Sequence, residues 1–93
     1  MKESQFKRSR LELYYYILRS CILGEKHTRS SLNRQHSISY SLLDECLIYL
    51  EKLGFIVINY NDRTIKTTLK GQNYVQKFDY LMQQLDNTST LPT

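Results

Sequence analysis

The chain has 93 residues, a formal charge of +4, 41% hydrophobic and 24% charged residues, three glycines and one proline. That length holds one domain near the lower size limit for a self-sufficient core, and the composition excludes a disordered or loop-dominated chain. No apolar run approaches the roughly 18–20 residues of a membrane span, and the basic start has no apolar stretch behind it to make a secretory signal, so the expected location is intracellular.

Residues 1–8 read as a flexible basic arm: over residues 1–10, Lys2, Lys7, Arg8 and Arg10 stand against Glu3, a net +3. Ser9 can cap a helix beginning at Arg10, with Glu12 completing a capping box. This helix, "RLELYYYILRSCIL", runs to a stop at Gly24. Leu11, Tyr14, Ile17, Leu18, Cys21 and Ile22 share its broad apolar face, while Leu13, Tyr16 and Leu23 lie elsewhere. A helix apolar nearly all round is usually covered on two sides. The simplest second cover is another subunit.

Thr28 caps a second, two-turn helix, "RSSLNRQH". After a break at "HSI", Ser39 caps a third helix from Tyr40 to Leu53, ended by Gly54. Leu43, Leu47 and Leu50 form its apolar stripe, flanked by Cys46 and Leu53. "FIVINY" and "TIKTTL" are rich in β-branched and aromatic residues and predict a hairpin. A two-residue turn at Asn61–Asp62 pairs Ile58 with Ile65, Ile56 with Thr67 and Tyr60 with Arg63, placing Ile56, Ile58, Ile65 and Leu69 on one face. A last helix runs from Lys70 to about Leu85, with Tyr74, Phe78, Leu81 and Leu85 in a seam widened by Val75 and Met82. Residues 87–93 read as a disordered tail. The fold class is therefore mainly α with a β-hairpin (α+β), in the order ααα-ββ-α: a winged helix-turn-helix over residues 9–86, its last helix (about 70–86) serving dimerisation.

"SISYSLLDECLIYLEKLGFI", a short hairpin and then "TLKGQNYV" resemble the archaeal winged-helix transcription regulators, including the small winged-helix DNA-binding proteins of archaeal viruses. The matching residues are Ser39 and Tyr40, then Leu50, Glu51 and Gly54, and Thr68 to Gly71, where the family's extra residue after Leu is missing. The resemblance spans about residues 10–85. It implies a dimeric, double-stranded DNA-binding regulator of transcription with no catalytic residues, acting in the host cytoplasm if viral.

In a helix-turn-helix the start of the second helix enters the major groove. That assigns Ser39, Tyr40, Ser41, Leu42, Asp44 and Glu45 to the DNA face. Leu42 suits a thymine methyl and an acid can accept from cytosine N4. The competing reading is that Asp44 and Glu45 only complement the positive helix start. Phosphate contacts are assigned to Lys26, Arg29 and Arg34 at the second helix and to Arg63 and Lys66 on the wing. Residues 25–36 and 62–70 each carry a net +2, Lys26, Arg29 and Arg34 against Glu25 and Arg63, Lys66 and Lys70 against Asp62.

The histidine and cysteine spacing, C-x5-H-x8-H-x9-C, matches no zinc pattern, and no phosphate-binding glycine loop occurs; neither metal, cofactor nor enzyme activity is expected. Cys21 and Cys46 are either two buried thiols or a disulfide of the kind intracellular hyperthermophile proteins carry, a setting the resemblance supports. Such a bridge is either internal or between subunits. Leu13, Tyr16, Tyr74, Phe78, Leu81 and Leu85 are the expected homodimer interface. Two related recognition helices then read a roughly palindromic site. The alternative is a winged-helix protein–protein interaction module that does not bind DNA.

Overall fold

The computed structural model describes residues 9–22 and 26–90, with side chains through residue 85. The elements follow the expected order: α1 Arg10–Ser20, α2 Arg29–His36, α3 Tyr40–Lys52, β1 Ile56–Asn59, β2 Thr64–Thr67 and α4 Leu69–Thr90. The basic arm at 1–8 and the stop at Gly24 lie outside the described residues.

The helix starts are set by local hydrogen bonds. Ser9 Oγ accepts from the Glu12 N–H at 3.1 Å, and Glu12 Oε1 accepts from the Ser9 N–H at 3.0 Å. Thr28 and Ser31 exchange the same pair of bonds at the start of α2. Ser39 Oγ accepts from the Leu42 N–H at 3.2 Å at the start of α3. Each cap satisfies an orphan donor and stabilises its helix by about 1 kcal/mol. Between α2 and α3 the chain turns through Ser37 in the left-handed region (φ 55°). Asn33 Nδ2 then ties the turn by donating to the Ile38 carbonyl at 2.6 Å. Ile38 is buried beside Leu32 and Leu43 in the core.

The third helix ends in a paired C-terminal motif. The Phe55 N–H donates to the Leu50 carbonyl and the Gly54 N–H to the Glu51 carbonyl. This requires the left-handed backbone that Gly54 adopts at φ 81°.

The hairpin has the expected register, Ile56 with Thr67 and Ile58 with Ile65. The turn differs. Pairing stops at Asn59 and Thr64, leaving a four-residue loop in place of the expected two-residue turn. Within it the Arg63 N–H donates to the Asn59 carbonyl at 2.6 Å, and Arg63 takes the left-handed conformation (φ 66°). Asn59 and Asp62 side chains accept from the Asn61 and Thr64 N–H groups. These side-chain turns compete with a tight two-residue turn. The inward face carries Ile56, Ile65 and Thr67 buried and Ile58 partly so. Leu69 is not on it: it opens α4 and is 77% exposed. Thr67 binds the sheet to α1, its Oγ1 donating to the Leu18 carbonyl at 2.7 Å. On the other edge of β2 the Ile65 N–H donates to the His27 carbonyl.

The α3–β1 corner also organises the start of α4. Thr68 Oγ1 donates to the Gly54 carbonyl and accepts from the Gly71 N–H. Lys70 Nζ donates to the Leu53 carbonyl at 2.9 Å, where a cation complements a helix C-terminus. Gly71 sits against the backbone: a Cβ there would lie 2.4 Å from the Phe55 carbonyl oxygen and 2.6 Å from Thr67 Cγ2. Backbone cannot rotate aside as a flexible side chain can. Gly71→Ala should therefore destabilise the domain by about 1–3 kcal/mol, the usual cost of overpacking. Urea unfolding followed by circular dichroism reads this, and an unchanged midpoint would refute it.

Helix α4 packs on the broad apolar face of α1: the Tyr15 and Phe78 rings stack at 4.5 Å, Tyr15 Oη donates to Asp79, and Tyr74 Oη donates to the Leu11 carbonyl at 3.2 Å. Leu13, expected at a dimer interface, is 3% exposed and belongs to the core. Tyr16 is half-buried and stacks on His36. Tyr74 and Phe78 are half-buried against the same core. Of the six residues expected at a dimer contact, Leu81 and Leu85 are the exposed ones. The last helix continues to Thr90, four residues into the stretch expected to be disordered.

Cys21 and Cys46 are both buried as free thiols. The two are not at disulfide distance, so the internal bridge does not form. Burial also pushes the Cys21 thiol up to about 12 and raises Cys46, so neither forms the reactive thiolate readily.

Candidate nucleic-acid interface

Helix α3 presents two very different sides. Its buried side carries Leu43, Cys46, Leu47 and Leu50. At about 100° per residue, Ser41, Glu45, Ile48 and Lys52 fall on the opposite side. All four are exposed. The assigned residues divide around this stripe. Ser41 and Glu45 are on it. Ser39 is an exposed cap. Tyr40 leans towards α2, where its hydroxyl donates to Ser30 Oγ at 3.4 Å. Leu42 is half-buried and packs against the core, so it is not the outward aliphatic residue expected for thymine.

Two of the three acids of α3, Asp44 and Glu45, are held by arginines from other elements. Arg29 makes a forked contact with Asp44, Nε to Oδ1 at 2.6 Å and Nη2 to Oδ2 at 3.0 Å. Its guanidinium also lies over the Tyr40 ring, 4.1 Å from the centroid. Arg10 donates to Glu45 at 2.6 Å. The Arg29 bonds hold the Asp44 carboxyl below the usual carboxylate range. The stabilisation this pair adds is fully present above about pH 4 and is lost as the pH falls through the lowered folded-state value. At neutral pH the centre of α3 is thus nearly neutral.

A groove of about 280 Å³ separates α3 from the hairpin. Leu47, Ile48, Ile58 and Ile65 supply its apolar lining, and Arg29 and Arg63 its cations. Across it Tyr60 Oη donates to the Glu51 carboxylate. Lys26 and Lys66 are elsewhere. They line a separate depression on the outer face of the hairpin with Val57, Asn59, Asp62 and Thr64. Arg34 is exposed on α2 and lines neither groove. The five cations expected to bracket DNA therefore form three positions. Only Arg29 and Arg63 share a groove with α3.

A short second helix, a turn tied by Asn33, an outward-facing third helix and a hairpin beside it are the parts of one known module. Residues 7–86 match the sequence profile of the winged helix-turn-helix family. The chain belongs to that family. No curated protein matches it. In winged-helix terms α2–α3 is the helix-turn-helix, α3 the outward helix and β1–β2 the wing. The fold is the expected one, and its family is a DNA-binding one that is not typically enzymatic.

Sequence reasoning passed over Ile48 and the partners of the acids. Ile48 carried a usable signal, because it lies about 140° round the helix from Leu43 at helical spacing. The Arg10–Glu45 and Arg29–Asp44 pairs carried none, since each joins different elements.

Asp44 occupies the Arg29 guanidinium that the sequence assigns to a phosphate. Asp44→Asn should raise affinity for duplexes of any sequence severalfold at low salt and steepen the log–log salt slope by about 0.9, one added phosphate contact. Fluorescence anisotropy across a salt series measures both. A weaker-binding variant would mean that Asp44 instead aims Arg29 at its phosphate.

Proposed function

We propose that this protein is a homodimeric, sequence-specific double-stranded DNA-binding regulator of transcription. The observation that carries the reading is the groove in which α3 stands beside the wing with Arg29 and Arg63 at its edges. Arginines there can take phosphates while α3 meets base edges. An arginine in the left-handed region at the wing costs strain that glycine or asparagine would avoid, which supports a role for the Arg63 side chain. Arg34, Lys26 and Lys66 extend the phosphate contacts beyond the groove. Origin in an archaeon or an archaeal virus, with action in the host cytoplasm, belongs to the same reading and rests on the resemblance over residues 10–85. Among the described residues no helix is long and apolar enough to cross a membrane.

The dimer is assigned to α4. Tyr80, Leu81, Met82 and Leu85 are exposed along a helix of 22 residues. Two such helices pairing across a two-fold axis would cover this surface and set the two α3 helices on a roughly palindromic site. Charge at the seam, Leu81→Glu with Leu85→Glu, should convert the dimer to a monomer in sedimentation equilibrium without loss of helical signal. A wild-type protein that sediments as a monomer at all concentrations would remove the dimer from the reading.

Site selection from random duplexes tests DNA binding. A bound set sharing an inverted repeat, with affinity falling steeply as salt rises, is the expected result. Failure to retain any duplex at low salt would leave the protein–protein module as the better reading.

A further inference from the structure

Ile48 is 67% exposed on the outward stripe of α3, beside the groove edged by Arg29 and Arg63. An isolated exposed isoleucine needs no explanation, but this one stands in the middle of the proposed DNA face. The carboxylates around it are occupied: Asp44 by Arg29, Glu45 by Arg10 and Glu51 by Tyr60. No lysine or arginine precedes Lys52 on α3, so the helix start lacks the forked cationic donor that most often reads guanine. What α3 offers at its centre is an aliphatic surface in a groove that Arg29 and Arg63 also line. The major groove offers a matching pattern, phosphates on either side and, at A·T pairs, the thymine C5-methyl between them. Leu42 cannot fill this role, because it packs against the core.

We propose that Ile48 is a specificity-determining residue that reads thymine methyl groups in the major groove. The inference rests on the DNA-binding reading above and names what that surface selects. Ile48 packs against the methyl, and the arginines at the groove edges hold the flanking phosphates. The preferred site then contains a thymine in each half, at a position set by α3.

The test uses the full chain and duplexes obtained by site selection. Each thymine is replaced singly by deoxyuridine, which removes the methyl and leaves pairing and hydrogen-bonding edges intact. Expected is a three- to fivefold rise in Kd, roughly the worth of one buried methyl, at a thymine in each half-site. In Ile48→Ala the same replacement should change Kd by less than about 1.5-fold, while wild type and variant bind the deoxyuridine duplex within about twofold of each other. Circular dichroism melting should leave the variant unchanged, because its side chain is mostly in solvent.

Thymine replacement without effect at every position would overturn the inference while leaving DNA binding intact. So would a variant that keeps the wild-type preference for thymine. A variant indistinguishable from wild type on every duplex would assign the exposed isoleucine to a protein contact instead. If wild type retains no duplex at all, the DNA reading fails and this inference with it.

Discussion

Alanine at Arg29, Arg34 and Arg63 together is expected to weaken binding to duplexes of all sequences by about two to three decades near 0.1 M salt. Each phosphate contact releases roughly 0.9 of a counterion, so the log–log salt slope should fall by up to about 2.7. Arg29 and Arg63 edge the groove beside α3, whereas Arg34 stands apart on α2. Their shares should differ. Arg29 must leave its forked contact with Asp44 to reach a phosphate, or share itself between the two oxygens. Its single replacement should therefore cost less than that of Arg63. All three side chains are exposed, so the triple variant should melt close to wild type. Anisotropy titrations at several salt concentrations give affinity and slope together. An intact affinity and an intact slope would remove these arginines from the phosphate-binding set.

Leu50→Ala should lower stability by about 3 kcal/mol, within the 2–5 kcal/mol typical of emptied leucine sites. Leu50 has no exposed surface and lies in the cluster that joins α1, α3 and the hairpin. A chain of this size has a total stability of roughly 5–14 kcal/mol, so the loss is a large fraction of it. The melting temperature should fall by about 10–20 °C. Ile48→Ala, two residues away on the same helix, removes a larger aliphatic surface than a methyl yet should change stability by less than about 0.5 kcal/mol. The contrast separates the buried from the outward side of α3. Equal effects at the two positions would show that the helix is rotated from the orientation described.

The two experiments bear on different parts of the same surface. Stability is carried by the stripe facing inward, and the proposed recognition falls to the stripe facing out together with the wing. Because one helix serves both, a variant that loses DNA binding is informative only when its unfolding curve is known. The acidic character of α3 also takes on a definite meaning. Asp44 and Glu45 pair with Arg29 and Arg10, and on the proposed DNA-binding reading this withholds those arginines from a phosphate backbone of any sequence, favouring selectivity over indiscriminate adhesion.

What the amino-acid sequence determined by itself is local. Ser9, Thr28 and Ser39 mark helix starts because a cap bonds to an N–H within the same turn. Gly54 marks a helix end because the motif needs a left-handed residue. The hairpin register follows from alternation, since a slip by one residue would turn Ile56 and Ile65 to solvent. The buried stripe of α3 follows from helical spacing in the same way. The tertiary structure alone decided the rest. Arg10 meets Glu45 across 35 residues, and Arg29 meets Asp44 across 15. Tyr15 meets Asp79 across 64 residues, and Tyr16 meets His36 across 20. Burial of both thiols, the separation of Lys66 from Arg63 and the approach of Gly71 to Phe55 are of the same kind. Each depends on how finished elements pack against one another, and periodicity along the chain does not encode the identity of the neighbour.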